Sequence, residues 1–189
     1  MSMSYTIQVS EGVEIVARSG DSICTKLSSL SVLPELEMSQ WLGKVLLESG
    51  YAPVDGQPSR YAREISGATV EIDTTTLQVS ASVVREETGT TGSIKIQISD
   101  ERSEPSIETA TARAIAKSAS DLTASMEKEL GQKASKDLAR ALPEIRTEID
   151  AINHRWLSAA IKEKASRLGQ VQRVEENESA RTLTISIKV

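Results

Sequence analysis

The sequence predicts an α+β fold: a largely antiparallel sheet with a long helical hairpin inserted as a coiled-coil-like arm. Three observations carry that expectation. Ser106 to Leu168 is nearly free of turn signals and is apolar at helical spacing. The chain on either side alternates apolar with polar residues, as half-buried strands do. Two such segments, Ile94–Ile98 and Leu183–Ile187, flank the helical stretch, and each needs a strand partner that the other can supply. The expected organisation is one structural unit: residues 1–104 hold most of the sheet, 105–168 form the arm, and 169–189 return as a β-hairpin that completes the sheet.

Taken in order, Tyr5–Val9 and Val13–Val16 alternate, with Glu11-Gly12 between them as a tight turn. Gly20-Asp21 breaks the pattern. Ile23, Leu27 and Leu30 then recur at helical spacing and predict a short helix that Pro34 ends. Ser39 is the expected cap of a second helix, Gln40 to Glu48, with Trp41, Leu42, Val45 and Leu46 on one face and Gly50 as its stop. Tyr51 to Gly67 holds two Pro and two Gly and reads as a surface loop whose concentrated donors are Arg60, Tyr61 and Arg63. Ala68–Ile72 and Leu77–Val84 read as strands, Glu86–Gly92 as a polar connector, and Ser93–Ser99 as the strand leading into the arm.

Ser103-Glu104-Pro105 is a good helix start, with a capping hydroxyl and a proline at the first helical position. Ile115, Ala119, Leu122, Met126 and Leu130 come next at helical spacing. Beyond Gly131 the apolar residues Leu138, Leu142, Ile145, Ile149, Ile152 and Trp156 form a heptad seam. Gly131 and Pro143 are both helix breakers. An unbroken helix would run to roughly 95 Å at 1.5 Å per residue and would carry the last strand far from Ile94–Ile98. The expectation is therefore a hairpin that turns between Gly131 and Pro143. After Leu168, Gln170–Glu175 and Arg181–Val189 form a last β-hairpin with Glu176-Asn177-Glu178-Ser179 at its tip.

Composition narrows the function. The chain of 189 residues has no Phe, two Trp and three Tyr, so rings for stacking bases are scarce. Its formal net charge is −5, and the first 104 residues hold 15 of the 27 acidic side chains against 8 of the 22 basic ones. That balance argues against duplex DNA or an anionic membrane as partner. Cys24 is the only cysteine, so no intramolecular disulfide can form. The opening Met-Ser-Met-Ser lacks the basic and apolar regions of a secretory signal, and no apolar run approaches a membrane span. The chain reads as soluble and cytoplasmic.

Catalytic motifs are sparse. Gly20-Asp21-Ser22-Ile23 comes after a strand-like run, as the nucleophile block does in the lipases and esterases named for that tetrad. Ser22 would need a base and oxyanion donors. The single histidine, His154, sits in Asp150-Ala-Ile-Asn-His154, one residue too long for that family's Asp-x-x-His pair, and the Gly-x-Asn-Asp block is missing. A turn in which Asp21 caps the adjoining segment is the better reading. His154 falls between the seam residues Ile152 and Trp156, on the outward side of the helix, and a metal site would need further His or Cys ligands. Cys24 reads as a small packed residue, and Glu175, Glu176 and Glu178 as a solvated hairpin tip. Gly89-Thr-Thr-Gly92 has neither the Lys nor the spacing of a phosphate loop. No cofactor or metal is expected, and an enzyme is disfavoured.

The seam remains, with Ile145, Ile149, Ile152 and Trp156. Two helices alone do not bury so wide a stripe. The arm is therefore expected to fold back on the sheet or to meet a protein partner, including a second copy of the chain. Arg60, Tyr61 and Arg63 are the other expected contact residues.

Lys164-Ala-Ser-Arg-Leu-Gly-Gln-Val-Gln-Arg-Val174 followed by Arg181-Thr-Leu-Thr-Ile-Ser-Ile-Lys-Val189 resembles the ending of small bacterial proteins of the FtsH ternary systems, some of them encoded beside AAA+ ATPases in conflict-related loci. Tyr5 to Leu36 resembles their opening. The resemblance is one of pattern, transfers no site residue, and implies a non-enzymatic component working with an ATPase. The expected function is thus a non-catalytic interaction or adaptor protein of a bacterial cytoplasmic assembly. The rivals are a self-assembling structural protein of phage or secretion type and a hydrolase using Ser22.

Overall fold

The computed structural model describes residues 4–9, 12–99, 104–177 and 182–188. The elements in order are β1 (Ser4–Val9), β2 (Glu14–Lys26), α1 (Glu35–Glu48), β3 (Ala52–Val54), β4 (Gln57–Ile65), β5 (Ala68–Asp73), β6 (Gln78–Thr90), β7 (Ile94–Ser99), α2 (Glu104–Leu168), β8 (Gln170–Asn177) and β9 (Thr182–Lys188). Strands and helices are segregated in the manner of an α+β protein, as the sequence predicts. A five-stranded sheet runs in the order β2-β6-β5-β4-β3, and two two-stranded sheets pair β1 with β7 and β8 with β9. The chain divides into two compact units, residues 1–21 with 84–136 and residues 22–83 with 137–189.

In the second unit β4, β5 and β6 form an antiparallel meander. Val70 pairs with Ala81 and Ile72 with Val79, and all four are buried, so one face of the sheet is the core face. Leu42 and Leu46 of α1 and Ile152 and Trp156 of α2 join them as the largest fully enclosed side chains. The Trp156 indole Nε1–H donates to the Met38 carbonyl at 2.9 Å, which gives the ring its buried hydrogen-bond partner. Helix α1 begins at Glu35, straight after Pro34, rather than at Gln40. Ser39 caps nothing: its hydroxyl donates to Thr74 Oγ1 at 3.0 Å, and Thr74 Oγ1 donates to the Ser59 carbonyl at 3.2 Å. The end of α1 is as expected, with Gly50 following Ser49 and the Tyr51 N–H closing on the Leu46 carbonyl at 3.0 Å.

In the first unit the neighbouring strands β2 and β6 are tied near Thr91, whose N–H donates to the Val13 carbonyl at 3.0 Å and whose Oγ1 accepts from the Val13 N–H at 2.8 Å. Part of α2 lies against them. Ser135 Oγ donates to Asp21 at 2.7 Å, and Lys133 pairs with Glu87 at 3.5 Å. Leu130 and Ala134 are buried, while Ile115, Leu122 and Met126 are half-buried. The ribbon of β1 and β7 pairs Tyr5 with Ile98 and Ile7 with Ile96.

Several expectations are corrected. The helical hairpin is not made: α2 runs unbroken over 65 residues, with Pro143 inside it. The premise of the hairpin fails because β7 is satisfied by β1, and β9 by β8 in a sheet of its own, so the last strand need not return to Ile94–Ile98. Gly131 is a close-approach residue rather than a turn, since a Cβ there would lie 3.1 Å from Ser19 Oγ. Pro143 is exposed, as is Ala139, whose carbonyl loses its helical partner to the proline and can take water instead. The short helix over Ser22–Leu33 is strand as far as Lys26, and the loop Tyr51–Gly67 is largely β3 and β4, joined to β5 through Ser66-Gly67. β6 continues through most of the expected connector, to Thr90. Ser103, Glu11 and the hairpin tip from Glu178 lie outside the described residues.

Candidate functional site

The residues expected to meet a partner are distributed by the pleat. Arg60 stands opposite Asp73 on the polar face of the sheet and pairs with it at 3.5 Å. Tyr61 and Arg63, opposite Ile72 and Val70, share the core face with those buried residues. The Tyr61 ring covers α1, where a Cβ at Gly43 would come within 2.9 Å of its hydroxyl. The Arg63 guanidinium donates to the Ser49 carbonyl at 2.7 Å and to Glu148 at 3.0 Å, so it bridges the end of α1 and α2. Ser66 donates to Glu144 one helical turn earlier. In the same way Arg167 clasps Glu37 of α1 at 2.6 Å and Glu163 at 2.9 Å. The seam residues Ile145, Ile152 and Trp156 are buried in this unit, and Ile149 is half-buried at the wall of a cleft.

Tyr51, Asp73 and Glu37 are among the groups of the unit with displaced acidities. Burial, then the neighbouring Glu148 carboxylate, push the Tyr51 phenol up to about 12, with Arg63 pulling the other way. The Tyr51 hydroxyl is buried and has no hydrogen-bond partner among the described residues. For Asp73 burial favours the protonated form, but the N–H groups of Thr76 and Thr75 and the Arg60 guanidinium outweigh it and hold the carboxyl below its ordinary value. The hydrogen bond from Arg167 holds Glu37 low.

Two of the clefts on the second unit bear on contact with a partner. One, of about 380 Å³, lies beside the start of α1, floored by Met38 and Trp156, with Leu30 57% and Leu36 72% exposed at its mouth. The other, of about 390 Å³, lies between the β2 edge and α2. Its apolar wall includes Val79, Ala81, Leu142, Ile145 and Ile149, and Lys26, Arg146, Asp150 and Asn153 are among its polar members. The amide oxygen of Asn153 is closed off from water without a hydrogen-bond partner among the described residues. Sequence reasoning missed this cleft, because it needs Ser22–Lys26 as an edge strand rather than a helix.

The catalytic candidates do not assemble. Ser22 is an exposed strand residue, and the neighbouring Asp21 accepts a hydrogen bond from Ser135. Cys24 and Asp150 border the second cleft, but His154 is not among its lining residues. At the C-terminal ribbon Glu175 is ion-paired with Arg173. No helix among the described residues is long and apolar enough to cross a membrane.

No curated protein and no solved structure matches the chain. A family model described as FtsH ternary system domain X5 matches residues 1–189, the whole length. With the α+β fold in place and the resemblance of the two ends extended across every element between them, the chain belongs to the FtsH ternary system domain X5 family and is a component of such a multi-protein system.

Proposed function

We propose that this protein is a non-catalytic interaction component of its ternary system, an adaptor in a bacterial cytoplasmic assembly that binds an FtsH-type AAA+ ATPase. The observation that carries the reading is the family match over residues 1–189. It is supported by the exposed leucines at the α1 cleft: Leu30 and Leu36 hold apolar surface in water that a partner would cover. Arg60, exposed on the polar face, is the contact residue of that side of the sheet. Tyr61 and Arg63 act by fixing α1 and α2 beneath the contact surface.

The test is co-expression of the tagged chain with the ATPase of its own locus. The expected result is a complex that survives gel filtration and is weakened by the double substitution Leu30→Ser, Leu36→Ser. A wild-type chain that elutes alone beside a folded ATPase, with and without nucleotide, refutes the reading.

A second reading is self-assembly through the ribbon of β8 and β9. An extra residue between Val171 and Arg173 re-phases β8, so that Val171 opposes Ile187 and Val174 opposes Ile185 on one face. Val171 and Val174 are exposed there, while Leu183, Ile185 and Ile187 are half-buried. Light scattering that shows an ordered oligomer, lost in Val174→Lys, favours this reading over the adaptor.

A further inference from the structure

We infer that the edge of β2 over Ile23–Lys26, which no further strand among the described residues covers, is a docking strand for an extended segment of a partner polypeptide, and that the adjoining cleft takes one aliphatic side chain of that segment flanked by an acidic residue. The inference rests on the reading of the chain as an interaction component and says how a partner is gripped.

The two edges of the five-stranded sheet differ. β3 is three residues long and contains Pro53, which blunts it. β2 is the other edge, and Ser22–Lys26 contains no proline. The Leu27 N–H donates to the Leu77 carbonyl beside β6 at 2.9 Å. Backbone groups alternate in direction along a strand, so those of Thr25 and Ile23 also face β6, and those of Cys24 and Lys26 face away from it. These outward groups are a template for one more strand.

The cleft of about 390 Å³ adjoins this edge, with Ile145 and Ile149 in its wall. Ile23 stands at its rim, 46% exposed. An added strand with an aliphatic residue turned to the same face would place that side chain in the cleft. Lys26 and Arg146 line the same cleft without an ion pair among the described residues, and Asp150 already has an interaction of its own, so the balance of charge favours an acid. A second copy of the chain fits less well: its own edge, Ser22-Ile-Cys-Thr-Lys26, would bring a lysine rather than a carboxylate to these cations.

The test uses the full chain and a fluorescein-labelled hexapeptide that alternates threonine with isoleucine and valine and carries one glutamate, followed by anisotropy. The control peptide has lysine in place of the glutamate. Wild type binds the glutamate peptide saturably and the lysine peptide weakly. Cys24→Pro removes one outward N–H and leaves the bonds to β6 intact; its affinity falls about tenfold or more while its circular dichroism and melting point stay near wild type. Cys24→Ala keeps the N–H and binds as wild type. Arg146→Glu reverses the preference between the two peptides, which keeps the idea testable should Cys24→Pro fail to fold. Absence of peptide binding by wild type, or equal binding by the proline and alanine variants, overturns the inference. So does a concentration-dependent dimer that Cys24→Pro abolishes, because the edge is then occupied by a second copy. Capture of the ATPase at undiminished affinity by Cys24→Pro sinks the edge but leaves the adaptor reading. Wild type that binds the peptide but captures no ATPase sinks the adaptor reading alone.

Discussion

Helix α2 has two stretches of similar composition that behave differently. Over residues 109–136 its apolar side chains Ile115, Leu122 and Met126 are only half-buried, and enclosure is reached at Leu130 and Ala134. Over residues 137–168 Ile145, Ile152, Trp156, Ala160 and Ala165 are all enclosed. The spacing of apolar residues is helical in both. What differs is the surface opposite: in the second unit the core face of β4, β5 and β6 with α1, in the first the neighbouring ends of β2 and β6. Periodicity identifies the face of a helix that will be buried, and the element across from it decides how deeply.

The largest test of that contrast is a pair of truncations. Trp156→Ala removes an enclosed indole and its bond to the Met38 carbonyl, and is expected to cost about 3–5 kcal/mol in urea unfolding. Leu122→Ala, at a half-buried position, should cost about 1 kcal/mol. Equal costs would erase the distinction between the two stretches.

Next in size is Pro143→Ala. The proline lies on an exposed turn of a helix already fixed by packing on both sides, so restoring the N–H should raise stability by up to about 3 kcal/mol. A loss of stability would mean that the helix bends at Pro143 for a purpose.

Tyr51 sharpens the account of the second stretch, because Glu148 of α2 faces it. Its folded-state value of about 12 lies above the value of about 10 for a phenol in an unfolded chain. A raised value favours the neutral form in the fold, so the contribution is present below about pH 10 and is lost as pH rises towards 12, about 2–3 kcal/mol in all. Tyr51→Phe should flatten stability across that window and should not weaken the protein at neutral pH, since the hydroxyl it removes has no hydrogen-bond partner among the described residues.

The smallest effect is expected at the Arg167–Glu37 clasp, which is exposed. The Arg167 hydrogen bond lowers the Glu37 value, so the clasp helps above the usual carboxylate range and fades as pH falls through the lowered value. Arg167→Ala should lower the melting point slightly, and the difference should shrink in high salt.

Much of this was legible in the residues. The alternation at Ala68–Ile72 and the apolar positions of α1 fixed elements correctly, because each pattern is local and each buries one face. The tail hairpin was legible for the same reason, though not its separation from the main sheet. β4 looks like a loop in the sequence because Gly56 and Gly67 occupy the turns on either side of it, and Pro53 and Pro58 sit within β3 and near the start of β4. The β2 edge is hidden by the helical spacing of Ile23, Leu27 and Leu30, of which Ile23 alone lies in the strand that pairs with β6. Gly131 and Pro143 misled most, because their cost to a helix is outweighed by what the flanking turns bury. The cleft and the enclosed Asn153 oxygen depend on elements distant in sequence and left no local signal.

Helix α2 is one helix whose seam belongs to the protein's own core. Hydrogen–deuterium exchange on the isolated chain at low concentration should then show slow exchange without interruption from Leu130 to Ile152, apart from the missing Pro143 amide, and independent of protein concentration. A fast-exchanging window between Gly131 and Pro143, or protection of the seam that arises only as concentration is raised, would contradict it.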